Sequence, residues 1–170
     1  VIYIINIMTL NTESTIALCI QDSSFERYLP EFMNTMPRVD FPEAAESTIT
    51  HICWWTGQGL AIGPRDLESR HATRVDFSDP GVLHRLKTSG KRQGIGKAVG
   101  LDKAGGVVRV VDATAGLGRD ALVLAHLGCQ VVLLERSPLV HALLADGLRR
   151  AQDAQEPLVQ AAASRMQLLH

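Results

Sequence analysis

The sequence predicts an α/β protein in which half of a doubly wound parallel sheet follows a small α+β N-terminal region. Two apolar runs, VVRVV from Val107 and CQVVLLE from Cys129, have the composition of strands buried on both faces of a parallel sheet. Helix-forming segments follow both runs, namely GRDALVLAHLG and LVHALLADGLRRAQ. The segment RMQLLH then predicts a third strand. This order of strand, helix, strand, helix, strand implies right-handed crossovers and parallel pairing.

Helix boundaries in this half have recognisable sequence signals. Gly128 follows the first helical segment and predicts a left-handed C-terminal cap. Ser137 and Pro138 precede the second segment, where they predict an N-cap and a proline in the first helical position.

Residues 1–80 are predicted to form the small α+β N-terminal region. THICWWTGQGLAIGP predicts a strand, a glycine-containing turn and a second strand, and RVDF is a candidate third strand. Prolines interrupt the weakly patterned segment before them and disfavour long helices. The first seven residues, VIYIINI, are interpreted as an artefact preceding a natural start at Met8, and they are too few to span a bilayer.

A basic segment, residues 81–106, is predicted to link the two regions. It contains six Lys or Arg against Asp102 alone, and it is rich in glycine. Such a segment is either a solvated connector or a surface that contacts phosphates, and its charge alone does not separate the two. The candidate RNA-binding residues within it are Arg85, Lys87, Lys91, Arg92 and Lys97.

Composition indicates a globular protein, with 46% hydrophobic and 21% charged residues among 170. The three cysteines form no CxxC pair, and the six histidines have no metal-ligand spacing. We therefore expect neither a disulfide framework nor a metal, and we expect a cytoplasmic protein that does not engage a membrane.

The candidate ligand site is the glycine turn between the first two strands of the C-terminal half. GLGRDA, residues 116–121, fits the G-x-G-x-x-[GA] dinucleotide pattern, and Glu135 follows Gly116 by nineteen residues. A carboxylate at that position accepts hydrogen bonds from ribose hydroxyls. These features suit both NAD and an adenosyl nucleoside.

Asp112 favours the adenosyl nucleoside. It ends the first strand, four residues before Gly116, where a carboxylate would repel a pyrophosphate by roughly 1–4 kcal/mol at intermediate dielectric. The same carboxylate suits S-adenosylmethionine, which carries a sulfonium and an ammonium. Asp120, just inside the following helix, is expected to act through the helix dipole and hydrogen bonding.

The motifs DATAGLGRDA and LERSP, with the upstream VDFSDPGVLHRLKTSGKRQGIGKAVG, resemble the ribosomal RNA small-subunit methyltransferase J family over roughly residues 54–170. The resemblance implies a Rossmann-like fold and methylation of a guanine N2 in bacterial 16S rRNA, with S-adenosylmethionine as cofactor and small-subunit rRNA as partner. It also favours RNA contact for the basic segment. The cofactor contacts it implies are Arg119, Asp120, Glu135 and Arg136, in a pocket shaped by Asp112, Gly116 and Gly118.

The family pattern continues past the position of His170, into a serine pair and an Asp-Pro-x-Phe catalytic motif. The one Asp-Pro of this sequence, Asp79-Pro80, lies upstream and is interpreted as a turn. The expectation is therefore a methyltransferase fragment with no assigned catalytic residue and with the first strand exposed at the sheet edge. An NAD(P)-binding oxidoreductase fragment and a non-catalytic RNA-binding remnant are the alternatives.

Overall fold

The computed structural model of the chain describes residues 15–19, 49–64, 72–92 and 94–169. The residues divide into two compact units, with the boundary between Val75 and Asp76. The basic segment therefore belongs to the same unit as the glycine turn. Phe77 is buried in the second unit, with 2% of its surface exposed.

A four-stranded sheet forms the N-terminal unit. Its strands, in spatial order, are β1 (Thr15–Cys19), β2 (Ile49–Thr56), β3 (Gly59–Pro64) and β4 (Thr73–Arg74). The pair β1 and β2 is parallel, whereas β2, β3 and β4 pair in antiparallel fashion. The strand, turn and strand predicted for THICWWTGQGLAIGP correspond to β2, the turn that follows it and β3. The Thr56 hydroxyl closes this turn by donating to the Gly59 carbonyl at 2.8 Å.

Two features of this unit differ from expectation. Strand β1 was not predicted, and it lies in the weakly patterned segment. Of the candidate strand RVDF, only Arg74 lies in a strand, because β4 spans Thr73–Arg74. A carboxylate oxygen of Asp76 accepts a hydrogen bond from the Ser78 amide at 3.0 Å, and this local turn takes the chain out of the strand.

The second unit begins with two helices, α1 (Pro80–Thr88) and α2 (Gly94–Ala98), in the segment predicted as a linker. The interpretation of Asp79-Pro80 as a simple turn is wrong. Asp79 is the N-cap of α1 and accepts from the Gly81 amide at 2.8 Å, and Pro80 begins the helix. Because Leu86 is fully buried, packing stabilises the helix that these signals begin.

A three-stranded parallel sheet follows, with the order β5 (Arg109–Asp112), β6 (Gln130–Leu134) and β7 (Met166–Leu169). The alternation of strands and helices is the predicted one, through α3 (Arg119–His126) and α4 (Pro138–Gln152). Ser137 caps α4 as expected, and Gly128 has a φ of +102° after α3. The additional helix α5 (Pro157–Ala163) was not predicted, and its N-cap is Glu156.

The two faces of this sheet differ in burial. Val131, Leu133 and Met166 are at most 5% exposed, and α3 packs against β6 and β7. On the edge strand β5, Val111 is 48% exposed, and Val107 just before it is 70% exposed. A groove of about 1030 Å³ runs along this side of the sheet, and no residue of the glycine turn lines it.

Among the described residues, no helix combines the length and the apolar character needed to cross a bilayer.

Candidate cofactor site

The glycine turn connects the end of β5 to the start of α3 and is tied to the end of β6. The amide of Ala115 donates to the carbonyl of Leu134 at 3.1 Å, and the amide of Gly118 donates to Ala115 at 2.8 Å. Gly116 and Gly118 have φ values of +52° and +72°, a region that residues with a side chain rarely adopt. The carboxyl ends of two adjacent parallel strands therefore form one crevice, the usual ligand position in such sheets.

Glu135 lies at the centre of this crevice, where two backbone amides hold its carboxylate. The Gly116 amide donates to Oε2 at 2.9 Å, and the Ser137 amide donates to Oε1 at 2.7 Å. A carboxylate has about four acceptor positions, so each oxygen keeps one for a ligand hydroxyl. The side chain is thus oriented before any ligand binds.

Asp112 brings a second carboxylate to the same end of the sheet. Burial raises the pKa of this half-buried group, and the negative charges of Asp120 and Glu135 raise it further. A hydrogen bond from the Thr114 amide to its Oδ1, at 3.1 Å, opposes that rise. The mutual repulsion of the three acids makes this end of the sheet favourable for a positively charged ligand.

The two glycines have different surroundings. A methyl group added at Gly116 would meet nothing closer than the Thr114 carbonyl oxygen at 3.9 Å, so this side of the turn is open to a ligand. The same group at Gly118 would lie 2.7 Å from Leu144 Cδ1 and 3.1 Å from Phe77 Cζ. Gly118 therefore permits close packing of Leu144 and Phe77 against the turn, whereas Gly116 permits close approach of a ligand to the turn.

Thr114 supplies a polar atom that sequence reasoning missed. Its Oγ1 is buried and has no hydrogen-bond partner among the described residues. A buried hydroxyl without a partner is costly, so its presence in the glycine turn is consistent with a polar ligand group. With the open side of Gly116 and the three carboxylates, it shows that the residues present fit a cationic nucleoside such as S-adenosylmethionine.

The remaining predicted cofactor residues directly follow the glycine turn and Glu135 in the chain. Asp120 is in the first turn of α3, where its carboxylate pairs with the guanidinium of Arg85 at 2.5 Å. Arg119 is the first residue of that helix, and Arg136 directly follows Glu135; both are exposed. Sequence reasoning assigned Arg85 to RNA and did not foresee its contact with Asp120.

The predicted RNA-binding residues other than Arg85 are exposed residues of the second unit. Lys87, Lys91, Arg92 and Lys97 are exposed on α1, on α2 and in the turn between them. Burial raises the pKa of Cys129, and the positive charge of Lys91 opposes that rise, which places Lys91 near the start of β6. Glu135 follows the other end of this five-residue strand, so Gln130 and Glu135 are roughly 17 Å apart at about 3.3 Å per residue.

In the part of the chain that the structure describes, no group of three His, Cys, Asp or Glu side chains is arranged to hold a metal ion.

Comparison with known proteins agrees with the chemistry of the crevice. Residues 35–170 match the family model described as putative SAM-dependent methyltransferase, SAM being S-adenosylmethionine. The chain is 29% identical to a SAM-dependent methyltransferase from Neisseria gonorrhoeae of known crystal structure, with a TM-score of 0.63 over 90% of this chain and 59% of that one.

Curated relatives named ribosomal RNA small subunit methyltransferase J match as well. The protein from Tolumonas auensis is 57% identical over 103 residues, which are 60% of this chain and 41% of the relative. The protein from Pseudomonas paraeruginosa is 46% identical over 133 residues, or 78% of this chain and 50% of the relative. The chain thus spans about half the length of these relatives.

These matches confirm the resemblance inferred from DATAGLGRDA and LERSP, and they do not favour the oxidoreductase alternative. The cofactor named by the family is the one that the acidic crevice predicts. This chain belongs to the family of putative SAM-dependent methyltransferases.

Proposed function

We propose that the second unit binds S-adenosylmethionine at the glycine turn and forms the cofactor-binding part of a small-subunit rRNA methyltransferase. The observation that carries the proposal is the carboxylate of Glu135, which the amides of Gly116 and Ser137 hold at the ends of β5 and β6. The relatives that match this chain are named as methyltransferases of that RNA.

In this proposal Glu135 accepts hydrogen bonds from the ribose hydroxyls with its remaining lone pairs. Asp112 and Asp120 face the positively charged methionine part, because their repulsion is relieved by a cation. Thr114 Oγ1 gains a partner, and Gly116 allows close approach of the nucleoside. Arg119 and Arg136 close the two sides of the crevice. The bound cofactor supplies a methyl group on an electrophilic sulfonium.

The basic segment is proposed to contact the RNA backbone through Lys87, Lys91, Arg92 and Lys97. Their exposure and their shared charge support phosphate contact, which is electrostatic and independent of base sequence. The substrate position implied by the family resemblance is a guanine N2. The division of the chain at residues 80 and 106 into an N-terminal region, a basic linker and a cofactor half stays a prediction.

Titration calorimetry with S-adenosylhomocysteine and NADH tests the cofactor assignment. We expect saturable binding of S-adenosylhomocysteine and no heat from NADH at the same concentration, because the acids near the turn repel the pyrophosphate. Binding of NADH with no response to S-adenosylhomocysteine would overturn the assignment.

Binding of small-subunit RNA, measured against a large-subunit RNA of equal length, tests the partner. We expect tighter binding of the small-subunit RNA at physiological salt. Equal affinity for both RNAs would contradict small-subunit RNA as the specific partner.

A further inference from the structure

Helix α1 reaches the candidate cofactor site through Arg85. Its guanidinium Nη2 lies 2.5 Å from Oδ1 of Asp120, and the two side chains are 48% and 43% exposed. Arg85 is in the last turn of α1, and Asp120 is in the first turn of α3. The ion pair therefore joins the basic segment to the helix that begins directly after the glycine turn.

A second contact holds the residues just before the basic segment against the glycine turn. Phe77 is 2% exposed, and its ring lies so close to Gly118 that an added methyl group there would be 3.1 Å from Cζ. Two residues later Asp79 caps α1. The segment from Phe77 to Arg85 is thus held at both ends by residues of the glycine turn and of α3.

The ion pair alters the charge of the crevice and contributes little to the stability of the fold. Exposed pairs of this kind contribute little to stability, because solvent screens them. Asp120, however, is one of the two acids whose charge raises the pKa of Asp112. Arg85 compensates the charge of that acid and directs its carboxylate, whereas Asp112 and Glu135 receive their hydrogen bonds from backbone amides.

We infer that Arg85 is a positioning residue of the cofactor site, acting through Asp120, and that it does not belong with the RNA contacts predicted for the rest of the basic segment. The inference rests on the proposed function of the glycine turn. The Asp120 carboxylate compensates part of the charge of the Arg85 guanidinium, so Arg85 attracts a phosphate less than a guanidinium without that pair would. Loss of Arg85 leaves the Asp120 carboxylate undirected.

Calorimetry with S-adenosylhomocysteine on a set of variants tests this inference. We expect Arg85→Ala to weaken binding by about threefold to tenfold and Arg85→Lys to recover part of the loss, as for other directly coupled pairs. In an Asp120→Asn background, Arg85→Ala should have no further effect. Lys103→Ala removes an exposed positive charge from the same unit and serves as the matched control, with unchanged affinity expected.

Salt dependence separates positioning from a general structural effect. Because the pair is exposed, the difference between the wild-type chain and Arg85→Ala should shrink as salt rises to about 1 M. An unchanged affinity in Arg85→Ala, or equal losses in the wild-type and Asp120→Asn backgrounds, would overturn the inference while leaving the proposed function intact. A wild-type chain that binds no S-adenosylhomocysteine would overturn both.

Discussion

The amide of Gly116 donates a hydrogen bond to the carboxylate of Glu135 at 2.9 Å, across nineteen residues of sequence. This bond joins the loops that follow two adjacent parallel strands. A second bond, from Ser137 to the other carboxylate oxygen, prevents rotation of the side chain. The crevice is therefore organised by the protein itself, which lowers the entropic cost of binding a ligand there.

Replacing Glu135 by glutamine should weaken S-adenosylhomocysteine binding by at least about tenfold, or ~1.4 kcal/mol. The amide keeps one acceptor oxygen, but it replaces the other with a donor that faces a backbone amide or a ribose hydroxyl. Calorimetry measures the affinity, and thermal unfolding measures the accompanying loss of stability. Glu156→Gln is the matched control, because Glu156 also accepts from a backbone amide, at the N-cap of α5, and we expect unchanged affinity there.

The two glycines of the turn should respond differently to alanine. Gly118→Ala combines a φ of +72° with a contact of 2.7 Å to Leu144, so we expect a loss of about 1–3 kcal/mol in stability. The added methyl group of Gly116→Ala meets open space, so this variant should lose about 1 kcal/mol of stability through its backbone conformation alone. It should also bind the cofactor more weakly.

Thermal unfolding and calorimetry on both variants check this contrast. Gly105→Ala, where an added methyl group has no neighbour within 4 Å, is the control. Equal stability losses at Gly116 and Gly118 would contradict the different roles assigned to them.

Asp112→Asn should stabilise the chain at neutral pH. Burial raises the pKa of Asp112 in the folded state, so its ionised form opposes folding once the pH exceeds the ordinary value of an aspartate. Stability from this group is complete below that value and is lost as the pH rises through the folded-state pKa. Asparagine avoids the loss and keeps an oxygen that can accept from Thr114.

Melting temperatures measured between about pH 3.5 and pH 8 check the sign of this effect. We expect the melting temperature of Asp112→Asn to exceed that of the wild-type chain at the upper end of this pH range and to match it at the lower end. Asp102→Asn, at an exposed position of the same unit, controls for the change in net charge. A difference in melting temperature between the two chains that does not depend on pH would contradict a raised pKa of Asp112 as its cause.

The same Asp112→Asn variant should lose more affinity for S-adenosylmethionine than for S-adenosylhomocysteine. The first ligand has a sulfonium and the second a neutral thioether, so only the first loses an attraction between the carboxylate and the sulfur. Competition binding gives the ratio of the two affinities directly. An unchanged ratio would place Asp112 away from the sulfur.

Lys87→Ala and Lys97→Ala should each weaken RNA binding and reduce the slope of log affinity against log salt. Each lost phosphate contact lowers that slope by about 0.7–0.9. Filter binding of small-subunit RNA at several salt concentrations measures both quantities. Arg109→Ala, an exposed charge on β5 outside the basic segment, is the control for net charge, and a slope change there as large as at Lys87 would contradict a local RNA surface.

The sequence by itself determined the three strands and the helices α3 and α4 of the second unit from Val107 onward, together with the chemistry of the glycine turn. Val110, Val131 and Gly128 follow local rules of periodicity and capping, so the strands β5 and β6 and the end of α3 were predictable. The acids at Asp112 and Glu135 each follow a predicted strand, and parallel strands bring such ends to one edge.

Only the tertiary structure decided the contacts between segments distant in sequence. The pairing of Arg85 with Asp120 and the packing of Phe77 beneath Gly118 depend on where α1 docks. No local pattern in the sequence specifies where α1 docks. An Asp-Pro pair occurs at the start of both turns and helices, so the pair alone does not decide between them. The burial of Leu86 selected the helix and so brought a residue of the basic segment to the cofactor crevice.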